Sequence, residues 1–145
     1  MSTEVSVGSE TIVVRVTSEQ SGGALLAFEV RMPPGGGPPM LHRHDPFELY
    51  RVEQGEFAFY LEGDDGNVTR RVAGPGSVVP IPGGREHTIR NESDDEARAL
   101  VVFSPGVAME GFLAAAGDPK LEPGDVLALA AAYGIKITRG LEAIA

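Results

Sequence analysis

Apolar and polar residues alternate along most of this chain in short bursts. Between about residues 10 and 104, "TIVVRVT", "ALLAFEVRM", "FELYRVEQ", "EFAFYLE", "VTRRV", "SVVPI", "EHTIRN" and "ARALVVFS" are each strand-length and rich in Val, Ile, Phe, Tyr or Thr. Turn chemistry separates them: "GDDGN" at 63–67, "AGPG" at 73–76, "PGG" at 82–84 and "NESDDE" at 91–96. Many short strands at this spacing predict an all-β sandwich or small barrel. From about residue 106 the pattern changes. "GVAMEGFLAAAG" and "EPGDVLALAAAYGI" are rich in Ala and Leu and predict two short helices, the second led by Pro123 and Asp125 and closed by Gly134 after Tyr133. Helices this short cannot build a core of their own. The expectation is one domain over 1–145, with a β part at about 10–104 and a helical segment at about 106–134 packed outside it or at a dimer contact.

Composition narrows the partners. At 145 residues the chain suits one hydrophobic core. Its net charge of -9, with basic residues scattered, argues against nucleic acid, whose phosphates need Lys and Arg patches. No apolar run approaches the roughly 20 residues that span a bilayer, and the polar, acidic start "MSTEVSVGSE" does not read as a signal peptide. The expected location is therefore cytoplasmic, with a small molecule rather than a membrane or nucleic acid as partner. Cysteine is absent, which leaves histidine and carboxylate as metal-binding groups.

The three histidines are the candidate chemistry. In "PPGGGPPMLHRHDPFELYRVEQG", His42 and His44 are two apart, so in an extended chain both imidazoles point to one face. Glu48 shares that parity if the strand stays regular past Pro46. His87 follows a Gly/Pro turn in "PGGREHTIRN", at the start of another expected strand. Two imidazoles and one carboxylate on one face form a shell suited to iron, manganese, nickel, copper or zinc.

The spacing carries a resemblance. Gly36, five residues, His42-Arg43-His44, three residues, Glu48, six residues, Gly55 is followed by Gly76, five residues, Pro82, one residue, Gly84, two residues, His87, three residues, Asn91. These segments resemble the two cupin motifs, in order and without departure at any signature position. The resemblance implies a jelly-roll β-barrel of cupin type with a short C-terminal helical segment. It also implies one divalent transition metal on His42, His44, Glu48 and His87, with the four glycines as turn positions and Asn91 in a structural role. The short segment between Gly55 and Gly76 and the "YGI" tail are similar to those of small single-domain, quercetin-dioxygenase-like cupins.

That resemblance implies a metal-dependent dioxygenase acting on a small enol or phenol, with Glu48 as ligand and as candidate proton acceptor. Two alternatives share the site: a non-redox isomerase, cyclase or lyase, and a non-catalytic protein binding metal or a small ligand. Parity places Tyr50 and Val52 on the inward face with Glu48, and either Phe57 and Phe59 or Ala58 and Tyr60 on the next strand. The candidate pocket is Met40, Tyr50, Phe57 and Phe59. Arg43, Arg51 and Arg85 are candidate anion binders, although the outward parity of Arg43 and Arg51 favours surface solvation for those two, and the segment "MEGFLAAAG" is either a lid or, the more ordinary fate, an external helix. Exposed barrel edges and the apolar helices lead us to expect a homodimer.

Overall fold

Strands dominate the computed structural model, which describes residues 3–122 and 124–144, so Pro123 lies outside the described residues. Among the described residues eleven strands fold into two stacked sheets. One sheet orders β1 (Thr3–Val7), β2 (Glu10–Val16), β3 (Leu26–Met32), β10 (Ala97–Ser104), β5 (Phe47–Gln54) and β8 (Val78–Ile81). The other orders β11 (Lys136–Gly140), β4 (Met40–Arg43), β9 (His87–Arg90), β6 (Phe57–Glu62) and β7 (Val68–Ala73). The strand pairings run antiparallel, giving the jelly-roll expected of the sequence.

The core sits between the sheets because alternate residues of each strand face inward. In β10, Ala97, Ala99, Val101 and Phe103 are buried and the residues between them are not. They meet Phe28, Val30 and Met32 of β3 and Tyr50 and Val52 of β5, while Phe57, Phe59 and Ile89 close the core from the other sheet. Gly55 ends β5 at φ 73, and a Cβ there would stand 2.6 Å from the Glu96 carbonyl oxygen. Glycine is needed on both counts.

Two strands were not expected, β1 in the polar N-terminal stretch and β11 after the helices, and β4, which carries His42, ends at Arg43 instead of running on past Pro46. The two helices form as expected, α1 at Val107–Ala116 and α2 at Asp125–Ala132. Gly134, at φ 82, closes α2: its N–H donates to Ala131 O and the Ile135 N–H to Ala130 O. Helix α1 packs externally on β1 and β3, so the lid expectation is not met. Its Leu113 reaches the core, and Glu110 accepts a 2.8 Å bond from the Ser18 N–H. No helix among the described residues is long and apolar enough to cross a membrane.

Candidate metal centre

β4 and β9 lie side by side with His42 opposite His87 in register, so two imidazoles 45 residues apart in sequence share one inward face. His44 stands just past β4, where the chain leaves one sheet for the other. Pro46 lies in that crossing, where a regular ladder is not required. Glu48 is therefore not the continuation of the histidine strand that parity assumed. It is the second residue of β5 in the facing sheet, paired with Phe103 and Ile81, and it meets the histidines across the sandwich. The convergence holds; the regular strand behind it does not.

Each imidazole is oriented by a backbone carbonyl two residues away. His42 Nδ1 lies 3.2 Å from Met40 O, His44 Nδ1 3.0 Å from Pro46 O and His87 Nδ1 2.8 Å from Arg85 O. A carbonyl only accepts, so each Nδ1 carries the proton and donates. The three Nε2 lone pairs then face one another, and the ligating atoms lie within 4.8 Å. Glu48 Oε1 sits 3.0 Å from His44 Nε2 and 3.2 Å from His87 Nε2. With all three Nδ1 protonated, these are four inward acceptors, which repel unless a cation or a proton lies among them. This donor set fits a divalent metal: three neutral imidazoles, one carboxylate, and the second ring nitrogens held by outer partners.

The titration pattern follows from the same geometry. Burial, then the charge of His87, lowers His42 to about 4. Burial alone would raise Glu48, but the bonds from His44 and His87 and their charges outweigh it and hold the carboxylate at about 2. Burial opposes protonation of His87, yet its contact with Glu48 prevails and raises it. In the metal-free protein the carboxylate of Glu48 thus favours a proton on His87, the charge that a metal would otherwise supply.

Around this centre the interior is aromatic. Phe103 lies 5.3 Å from the His44 ring and stacks on Phe28 at 5.9 Å. Tyr50, Phe57 and Phe59 pack on one another in the core at centroid distances of 5.3, 5.8 and 6.3 Å. Burial raises the Tyr50 hydroxyl well above its ordinary range. Met40 is half-buried two residues before His42. Phe103 was missed as a neighbour of the centre; the alternation of β10 marked it as inward, but not which residue it would face.

Of the candidate anion binders, Arg43 and Arg85 are engaged by the protein itself. Arg43 donates to Glu62 Oε1 at 2.7 Å and to Gly84 O at 3.0 Å, and Arg85 pairs with Asp64. Arg51 faces outward and is exposed. A buried carboxylate that sequence reading missed, Glu86, accepts from Arg139 at 2.9 and 3.1 Å and from Thr138, tying β11 to the strand that carries His87. Asn91 is fully buried and structural: its amide donates to Met32 O at 2.8 Å and Asp95 O at 2.7 Å, and its Oδ1 accepts from the Ser93 N–H and hydroxyl.

A jelly-roll with three imidazoles and an acid gathered between its sheets is a recognisable class. The family model described as "Cupin domain" matches residues 28–103, more than half of the chain, and the chain belongs to that family. No curated protein matches it. Among solved structures, a single-substitution variant of oxalate decarboxylase from Bacillus subtilis is similar with a TM-score of 0.63 and 21% identity over 73% of this chain. The match takes in 28% of that longer protein. The polyketide cyclase RemF from Streptomyces resistomycificus is similar with a TM-score of 0.56 and 24% identity, covering 70% of this chain and 69% of its own. At these identities the likeness is one of fold.

Proposed function

We propose that this cupin holds one divalent transition metal (iron, manganese, nickel, copper or zinc) on His42, His44, Glu48 and His87, and acts as a dioxygenase on a small enol or phenol. The observation that carries the metal assignment is the arrangement of four acceptor atoms around one centre, with every Nδ1 engaged by a carbonyl. Bound there, the metal supplies Lewis acidity and open coordination positions. The chain's own residues do the rest. The carbonyls of Met40, Pro46 and Arg85 hold the imidazoles in one tautomer and orientation. Glu48, ionised above about pH 2, is an acceptor for the hydroxyl proton of an enol or phenol at its carboxylate oxygen. Phe103 and Phe28 exclude water behind His44, which strengthens each electrostatic contact at the centre.

The same donor set suits a second reading, a non-redox isomerase, cyclase or lyase in which the metal would act as Lewis acid and no oxidant is needed. Fold does not choose between them. Oxygen-electrode assays of the metal-loaded protein with flavonols, β-diketones and catechols decide: oxygen uptake supports the dioxygenase, and turnover under nitrogen supports the second reading. A metal-replete protein inert to every substrate class would support a binding protein. We also propose a homodimer, supported by Val107, Val126 and Leu127 exposed on the two helices; sedimentation showing only monomer would overturn it.

A further inference from the structure

At the side where β7 edges one sheet and β8 the other, the sandwich opens into a cleft of about 410 Å³. Phe59, Leu61, Thr69, Arg71, Val79 and Arg85 line it. Phe59 and Leu61 face inward on β6, with Arg71 and Thr69 opposite them on β7. Leu61 is also the register partner of His87 on its other side. On the facing sheet, Val79 pairs with Tyr50, and two residues on, Ile81 pairs with Glu48. The inner wall of the cleft is therefore one row of side chains away from the candidate metal centre.

Glu62 and Asp64 line the cleft as well, so its formal charges are even, but three of the four are already engaged. Arg85 is engaged by Asp64 and by the Glu62 carbonyl, and the Glu62 carboxylate is held by Arg43. Ion pairs among the described residues engage Arg15, Arg43, Arg70, Arg85, Arg98 and Arg139, but not Arg71. In a chain of net charge -9, this is a cation without a partner among the described residues, placed over the apolar floor of Phe59, Leu61 and Val79. The volume lies within the range of small-molecule sites, roughly 300 to 1,000 Å³. Resting on the metal centre proposed above for its place in the reaction, we infer that the cleft binds a small aromatic or enol acid. Arg71 takes the carboxylate through its planar guanidinium fork, and the apolar floor takes the ring. Arg71 is thus a specificity-determining residue.

The test is an amide-shift titration by NMR of the zinc-loaded protein with 1-naphthoate and with 1-naphthylmethanol, its uncharged counterpart. The expected result is shifts at Leu61, Thr69, Val79 and Arg85, with the acid bound about tenfold more tightly than the alcohol, as one charge-assisted contact allows. Arg71→Gln should remove that preference. Arg51→Gln, an exposed arginine on another strand, should leave it intact. Equal affinity for acid and alcohol, shifts confined to other parts of the molecule, or equal loss in both variants would overturn the inference. Metal content is read on samples loaded separately with iron, manganese, nickel, copper and zinc. Acid binding in a protein that takes up none of them would uphold the cleft and defeat the metal reading; full metal occupancy with no acid preference would do the reverse.

Discussion

Replacing Asn91 with alanine removes a side chain that is fully buried and makes four hydrogen bonds, two donated to Met32 O and Asp95 O and two accepted from Ser93. These tie the end of β3 to the turn that leaves β9, the strand that begins with His87, and leads to β10 in the other sheet. Each bond contributes about 1 kcal/mol net, and buried groups left without partners add to the cost, so the loss sums to roughly 3–5 kcal/mol. For a domain of this size, each kilocalorie lowers the melting temperature by roughly 2–4 °C, giving a fall of about 6–20 °C. Asn91→Asp should not rescue it, because a carboxylate oxygen would replace the donor that faces the Met32 and Asp95 carbonyls. Urea and thermal denaturation of both variants measure this, with metal content read at a temperature where they remain folded. A loss below about 1 kcal/mol, or lost metal at unchanged stability, would refute the structural role assigned to Asn91.

Gly55→Ala should destabilise by about 2 kcal/mol or more in urea denaturation, since it combines a left-handed φ with a Cβ 2.6 Å from the Glu96 carbonyl. The metal-free protein should be most stable near pH 6.5, as measured by urea midpoints in chelator. Below that, His42, lowered to about 4, makes folding cost progressively more as pH falls from 6.5 to 4, and Glu48, lowered to about 2, loses its contribution as pH falls from 4.5 to 2. Above it, the raised His87 loses its stabilising proton as pH rises through its folded value. A midpoint that climbs on acidification to pH 4 would contradict this balance.

Much of the fold was legible because the local signals agree with the tertiary ones. "ARALVVFS" alternates in sequence as β10 does in burial, and "FELYRVEQ" buries Glu48, Tyr50 and Val52 as its parity requires. What escaped was non-local: where β4 ends, after only four residues in the tail of a proline- and glycine-rich run, and that β11 forms at all, after a helix. Each becomes a strand by pairing with the other, Ile137 opposite His42 and Gly140 opposite Met40. No window of sequence holds both partners. The Glu86–Arg139 contact hides for the same reason, its ends standing 53 positions apart in sequence. At the candidate site, the motif spacing pointed to His42, His44, Glu48 and His87, while the parity argument for Glu48 assumed one continuous strand where the chain changes sheets. The pairing of Arg43 and Arg85 with Glu62 and Asp64 likewise depends on a neighbouring hairpin that composition does not reveal.

The metal content of purified protein, compared among the wild type, His42→Ala and His87→Ala, tests the central claim most directly. The account predicts one transition-metal ion per chain in the wild type and loss of most of it in each variant, with the β fold retained by circular dichroism. Full occupancy in both variants, or folded wild-type protein that takes up no divalent transition metal at neutral pH, would contradict it.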